Sequence, residues 1–186
     1  MQITKPALLV SSLLIACAAT DTAAQEKPRT QPAYNYASVS FADYDGGDAL
    51  TIEGGLEFNS PYFVSGHYKT IDSNAISASR DSVGFNLGRY FWLNSGLIAD
   101  VQARVGRVDF GPLDSNYWGA EANLRQRVDQ FEFYGGVGYL NYTDAGSDNI
   151  YQFGVNYFLN QNTSVGVGYQ DSEYGDGVRL RASYHF

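Results

Sequence analysis

The sequence has few of the residues that build disulfides, metal sites and helices. The 186-residue chain contains one cysteine, Cys17, together with one methionine and two histidines. A lone cysteine excludes a disulfide framework and a cysteine-based zinc site. Glycine (20), tyrosine (15) and phenylalanine (11) are abundant instead. This composition favours strands and tight turns over helices.

Positive charge and long apolar runs are also scarce. The net charge of −8 argues against a nucleic-acid partner, because phosphate binding needs a basic surface. One apolar run extends from Pro6 to Ala19. It is too short to span a bilayer as a helix, which takes about 20 apolar residues.

The N-terminal residues have the layout of a secretory signal peptide. A short basic start, Met1 to Lys5, precedes the apolar run, and small residues follow up to Ala24. We expect residues 1–24 to be removed on export. Residues 25–32, which contain two prolines, are predicted to be a flexible lead-in.

Cys17 is a candidate lipidation site. Leu14-Ile15-Ala16-Cys17 resembles the lipobox of bacterial lipoproteins, in which the cysteine becomes the lipidated first residue. The alternative is that Cys17 is an ordinary apolar residue of the signal peptide, with cleavage near Ala24. Both alternatives require export, so the sequence predicts a protein of the cell envelope.

The last nine residues, Val178 to Phe186, alternate without interruption between apolar and polar side chains. Because side chains along a strand point to opposite faces in turn, this segment has one apolar and one polar face. The preceding chain repeats the pattern in segments of about ten residues, separated alternately by long loops and short turns, as in a membrane barrel. The predicted strands are 34–43, 49–59, 62–71, 81–92, 96–108, 116–128, 131–142, 149–159, 163–170 and 178–186.

Ten strands place both chain ends on the same side of a barrel. Eight strands are the alternative, but they would leave two alternating segments unused. Pairing across the Asp129-Gln130 turn places Arg127 opposite Glu132, and pairing across residues 59–61 places Glu53 opposite His67. The polar side chains then share one face, so the sheet needs lipid outside and water or an ion network inside.

The alternating segments and the terminal aromatic residue together resemble the small Gram-negative outer-membrane β-barrel family, which includes OmpA- and OmpX-like and small porin-like barrels. The resemblance implies that residues 33–186 form an antiparallel up-and-down transmembrane β-barrel of the all-β class, located in the cell outer membrane. It also implies that Tyr184 and Phe186 form an assembly signal for the barrel-insertion machinery. The expected surroundings are outer-membrane lipid and lipopolysaccharide, and the expected state is a monomer.

The polar faces predict a charged lumen. The charged side chains would form a salt-bridge network that fills the barrel, or they would line a narrow polar channel. Glycines on the same face would let Tyr90 and Tyr134 lie flat across the lumen. The predicted lumen charges are Glu53, Glu57, His67, Lys69, Asp100, Arg104, Glu121, Arg125, Arg127, Glu132, Arg179 and Arg181.

Neither catalysis nor metal binding is strongly indicated. The acids Asp43, Asp45 and Asp48 are spaced somewhat like a calcium loop but lack a full ligand set, so we predict no metal site and no cofactor. His67, with Asp81-Ser82 on the neighbouring strand, makes a barrel-embedded lipid-modifying enzyme a remote alternative. The main prediction is a porin-like or structural barrel, and the alternative is a surface adhesion protein that acts through acidic loops.

Overall fold

Ten antiparallel strands form a closed barrel in the computed structural model of the chain. The structure describes residues 32–45, 47–59, 61–73, 79–110, 113–172 and 175–186. The strands are β1 (Tyr36–Tyr44), β2 (Gly47–Asn59), β3 (Tyr62–Ser73), β4 (Ser79–Asn94), β5 (Leu97–Asp109), β6 (Asp114–Val128), β7 (Phe131–Tyr142), β8 (Gly146–Phe158), β9 (Thr163–Ser172) and β10 (Gly175–His185). The ten-strand prediction is confirmed, and the eight-strand alternative is wrong.

Each strand pairs with its neighbours in sequence, and β10 pairs with β1 to close the barrel. The start of β1 and the end of β10 therefore lie at one end of the barrel, which we call the terminal end; the opposite end is the distal end. No helix among the described residues is long and apolar enough to cross a membrane. The predicted signal peptide (1–24), Cys17 and the lead-in up to residue 31 lie outside the described residues.

Period-two alternation decides which side chains face outward. On β6, Trp118 is 59% exposed, whereas its neighbour Tyr117 and the inward Glu121 are each 5% exposed. The same contrast recurs around the barrel, where outward leucine, valine, phenylalanine and tyrosine side chains are largely exposed. A continuous apolar surface of this extent is unfavourable in water and is what a lipid-facing wall requires.

The predicted register is confirmed. Arg127 lies opposite Glu132 across the Asp129-Gln130 turn, and Glu53 lies opposite His67. Asp129 has a φ of 54°, a left-handed conformation that aspartate tolerates and that a two-residue hairpin turn needs.

The strands extend further towards the distal end than predicted. β8 begins at Gly146 rather than at residue 149, and β10 begins at Gly175 rather than at residue 178. Aspartates predicted to lie in loops are paired in the ladder, as Asp109 is with Asp114. The backbone hydrogen-bond ladder continues past the last apolar side chain, so composition alone places the boundary too early.

Two inward-facing hydrophobic clusters lie at the two ends of the lumen. The distal cluster consists of Ala42, Tyr44, Ala49, Ile71, Val108, Tyr117, Leu140, Tyr142 and Ile150, with Phe110 packed against it. The terminal cluster consists of Tyr34, Phe63, Tyr90 and Ile98. A wide water-filled pore would leave such inward side chains exposed, so packed side chains narrow the lumen at both ends.

Candidate functional site

A polar chamber of about 190 Å³ lies between the two clusters. It is smaller than the 300–1,000 Å³ or so of sites for drug-sized ligands, so it suits a small solute or a headgroup. The predicted lumen charges that line it are Glu53, His67, Lys69, Asp100, Arg104, Glu121, Arg125, Glu132, Arg179 and Arg181. The other two, Glu57 and Arg127, lie outside its lining, where Glu57 accepts a hydrogen bond from Tyr90 (3.0 Å) and Arg127 stacks on Phe158.

Three ion pairs inside the chamber join side chains of different strands. Arg104 contacts Glu121 at 2.7 Å, and Arg125 contacts Glu132 at 3.0 Å. Arg181 reaches across β1 to Glu53 at 3.3 Å, and Glu53 also accepts a hydrogen bond from the Tyr36 hydroxyl. A buried charge is costly unless it is paired, so these contacts explain how carboxylates as buried as Glu121 and Glu132 are accommodated.

The residues just before β1 turn into the terminal end of the lumen. The ring of Tyr34, which is 4% exposed, stacks between Phe63 (centroids 4.2 Å apart) and Tyr90 (4.9 Å). Its hydroxyl donates to Asp100 (2.8 Å), and Arg125 lies 5.0 Å from its ring centre. The prediction that Tyr34 begins the first strand is therefore wrong, because this aromatic sandwich and hydrogen bond hold it inside.

The other half of the terminal end is occupied by side chains from β6, β8, β9 and β10. The Arg127 guanidinium lies 3.5 Å from the ring centre of Phe158, and that ring packs 5.0 Å from His185. The His185 Nε2 atom lies 3.1 Å from the Ser164 hydroxyl. All four side chains are buried, so together with the terminal cluster they fill this mouth of the barrel.

Among the residues that the structure describes, Arg179 differs from the other chamber arginines in having only neutral hydrogen-bond partners. It donates to the Tyr134 hydroxyl (3.3 Å) and to the Gln152 Oε1 atom (3.3 Å). Tyr134 lies flat over glycines of β8 and β9: a Cβ added at Gly154 would stand 2.5 Å from the tyrosine hydroxyl. Glycine on the facing strands thus makes room for the ring, and the ring positions the guanidinium.

The pairing of β8 with β9 stops short of the distal ends of the two strands. The outermost pair in this ladder is Gln152 with Gln170. Beyond it β8 pairs only with β7, as far as Gly146, and β9 pairs only with β10. We call this gap in the described ladder the β8–β9 notch. Tyr151 and Asp171, the next residue on each side, both line the chamber.

The suggested catalytic grouping is not assembled. Ser82 is buried and inward-facing, whereas Asp81 lies on the outer face of β4, away from His67. The Ser82 hydroxyl has no hydrogen-bond partner among the described residues, so no base is positioned to activate it. Among those same residues, no group of three or more histidine, cysteine, aspartate or glutamate side chains could hold a metal ion.

Sequence reasoning missed the terminal cluster and the notch. The available signal for the cluster was an inward aromatic residue opposite glycine, as Phe63 is opposite Gly88, because a missing side chain on one strand leaves room for a ring on the next. No sequence signal marks the notch, which depends on where the backbone pairing of β8 and β9 stops.

Comparisons with known proteins agree with this architecture. A family model described as outer membrane protein beta-barrel domain matches residues 7–186. No curated protein sequence is significantly similar to the chain. The solved structure of the KdgM porin is similar with a TM-score of 0.52 and 11% identity, over 81% of this chain and 99% of that one. The NanC porin gives a TM-score of 0.52 and 9% identity, over 81% and 98%.

Proposed function

The chain belongs to the outer membrane protein beta-barrel domain family, and from this premise we propose that it is a porin-like barrel whose narrow polar channel is closed at both ends. Its location is the outer membrane, and its apolar outer face contacts lipid. The observation that supports a closed channel is a charged chamber bounded by two packed clusters. Solutes could pass along the axis only when side chains at both ends move.

The residues that control the two ends can be named. At the terminal end, Tyr34 is held by stacking and one hydrogen bond on a short segment outside the ladder. At the distal end, the ring of Tyr142 packs edge-on against Tyr117 (6.0 Å) and Phe110 (5.6 Å). Truncating each ring to alanine removes one packed aromatic side chain from each end, and we expect the strand pairing to remain.

Single-channel recording in planar bilayers tests the proposal. We expect the unchanged chain to be silent or nearly so, and the Tyr34→Ala/Tyr142→Ala double variant to show discrete conductance steps. Tyr62→Ala is the matched control, because Tyr62 also lies at the terminal end but faces outward, 40% exposed. A heat-modifiable gel shift verifies that every variant is folded.

Two outcomes contradict the proposal. Large steady conductance from the unchanged chain would show that the clusters do not close the lumen. A folded double variant that stays silent would favour the structural role over any channel.

We further propose that the barrel is not an enzyme. The separation of Asp81 from His67 and Ser82 on opposite faces of the wall supports this. The alternative of surface adhesion through acidic loops gains no support from the structure, since Asp43 and Asp48 are paired within strands at the distal rim. Contacts with lipopolysaccharide and with the insertion machinery, and the monomeric state, remain predictions.

A further inference from the structure

The outer wall of the barrel is apolar between two bands of outward aromatic side chains, which mark the headgroup levels of the two leaflets. The terminal band consists of Phe58, Tyr62, Phe91, Phe131, Tyr157 and Tyr184. The distal band consists of Phe41, Tyr68, Trp118, Tyr139, Tyr151 and Tyr169. At the outward positions between the bands, the described strands carry alanine, glycine, valine, leucine, isoleucine or phenylalanine, with Arg89 of β4 as the one charged exception.

Arg89 lies on the outer face, next to the terminal band. Its neighbours along β4, Gly88 and Tyr90, are buried on the lumen side, whereas Arg89 itself is exposed, as alternation along a strand requires. The guanidinium carbon lies 5.0 Å from the ring centre of Phe91. It lies 5.5 Å from the ring centre of Tyr62, which is directly opposite Arg89 on β3. Two rings of the terminal band therefore hold the positive charge at the headgroup level.

The guanidinium of Arg89 has donors that the protein leaves available. No carboxylate of the described residues forms an ion pair with it. The two rings attract its charge, but they are not conventional acceptors for its five N–H groups. The planar fork of a guanidinium matches the oxygens of a phosphate group. In a membrane, the acceptor at this level is the phosphodiester group of a lipid.

The strand connections identify the leaflet. Residues 95–96 and 129–130 form two-residue turns at the terminal end. In outer-membrane barrels the short turns face the periplasm. The terminal band, and Arg89 beside it, therefore face lipid of the periplasmic leaflet.

A strip of short side chains leads from Arg89 towards the centre of the bilayer. Arg89 is paired with Val101, and Val101 is paired with Ala122. One step further towards the distal end, Ala103 is paired with Ala120. We call these four positions on β5 and β6 the β5–β6 strip. It is flanked by leucine on β4 and by valine and tyrosine on β7, so an acyl chain that extends inward from a headgroup at Arg89 can lie along it.

We propose that Arg89, Tyr62 and Phe91 bind the phosphodiester headgroup of a glycerophospholipid from the periplasmic leaflet, with one acyl chain along the β5–β6 strip. The site lies on the outside of the wall, so it goes beyond the proposed channel and does not depend on whether the ends of the lumen open. It distinguishes one specifically bound lipid from the lipid that covers the rest of the apolar face.

Native mass spectrometry of the full chain, released from detergent micelles, measures its affinity for phosphatidylglycerol added in steps. We expect the unchanged chain to bind one phosphatidylglycerol more tightly than further copies. Arg89→Gln should weaken this first binding at least fivefold, and Arg89→Lys should partly restore it. Arg107→Gln is the matched control and should bind as the unchanged chain does, because Arg107 is also an exposed arginine but is paired with Asp114. Dioleoylglycerol, which lacks the phosphate, should bind the unchanged chain at least fivefold more weakly than phosphatidylglycerol.

Filling the β5–β6 strip tests the position of the acyl chain. Ala103→Phe should weaken the first phosphatidylglycerol binding at least threefold with Arg89 unchanged, because the added ring occupies the strip. Val167→Phe is the control, since Val167 is an outward residue of β9, 45% exposed and four strands away from β5. The gel shift verifies that each variant is folded.

Equal affinity of Arg89→Gln and the unchanged chain for phosphatidylglycerol would overturn the inference. Equal binding of dioleoylglycerol would do the same, since the phosphate would then contribute nothing, and unchanged binding in Ala103→Phe would remove the acyl chain from the strip. If Arg89→Gln abolished dimers in the same spectra rather than lipid binding, the face would belong to a second copy of the chain. Conductance of the Tyr34→Ala/Tyr142→Ala variant does not depend on these results, so failure of the lipid site and failure of the proposed channel are distinguishable.

Discussion

Replacing Arg125 with methionine should destabilise the barrel strongly, because it leaves Glu132 buried without its counter-charge. The two side chains are 3.0 Å apart, and they are only 16% and 1% exposed. Glu132 retains one hydrogen bond, from Asn156 at 3.2 Å. Breaking a buried ion pair by removing one partner costs about 3–5 kcal/mol, so we expect a loss of that size in the free energy of unfolding.

A double-mutant cycle separates the pair from the other contacts of Arg125. This arginine also donates to the Ala33 carbonyl at 3.4 Å and lies over the ring of Tyr34. Those contacts are lost equally in Arg125→Met and in Arg125→Met/Glu132→Leu, so they cancel in the cycle. We expect Glu132→Leu to be destabilising alone and the double variant to be more stable than the sum of the two changes by about 2–3 kcal/mol.

The measurement is equilibrium urea unfolding of refolded barrels in lipid vesicles, followed by gel mobility and tryptophan fluorescence. Both tryptophans are exposed, Trp118 on the outer face and Trp92 near the end of β4 beside Tyr90, and both remain unchanged in every variant. Arg107→Met serves as the control, because the Arg107–Asp114 pair is 60% and 50% exposed and should contribute about 0–1 kcal/mol. A cost below about 1 kcal/mol for Arg125→Met, or strictly additive effects in the cycle, would refute the reasoning.

Two further predictions test the outer face and the closing strand. Val137 lies on β7 and is 65% exposed, so Val137→Arg should lower the free energy of unfolding in vesicles by about 2–4 kcal/mol. Leu93→Arg, near the end of β4, should lower it by only about 0–1 kcal/mol. Equal losses in urea unfolding would contradict a lipid-facing position for Val137. Deleting Phe186 should slow insertion by purified assembly machinery while leaving the stability of the refolded barrel little changed, and a wild-type insertion rate would remove the proposed signal role of Tyr184 and Phe186.

The sequence was sufficient to predict the strands that form the wall of the barrel and the face that each residue takes. Side-chain alternation determines which face each residue takes, and the short turns then fix the register, as the facing positions of Arg127 and Glu132 illustrate. Strand ends were harder to predict. Aspartates at the distal rim, such as Asp109 and Asp114, have low strand propensity but remain paired in the ladder.

The interior was predicted less well, because alternation assigns a residue to the lumen without saying what fills the space there. Ile98 and Phe63 are inward like the charged residues, yet they are packed rather than solvated. Their packing depends on contacts among the neighbouring strands β3, β4 and β5 and on Tyr34, which precedes β1. The notch was unpredictable for a similar reason, since it depends on how far two strands remain paired.

The position of Tyr34 has a consequence for how the terminal end is held together. Its binding place is formed by rings from β3 and β4 and a guanidinium from β6, and it precedes the strand that joins β10. The recess that receives the ring is built by the four consecutive strands β3 to β6, because Asp100 of β5 accepts the hydrogen bond from the Tyr34 hydroxyl. The segment before β1 therefore joins the start of β1 to strands with which β1 has no backbone pairing, and it links the two sides of the terminal end from within.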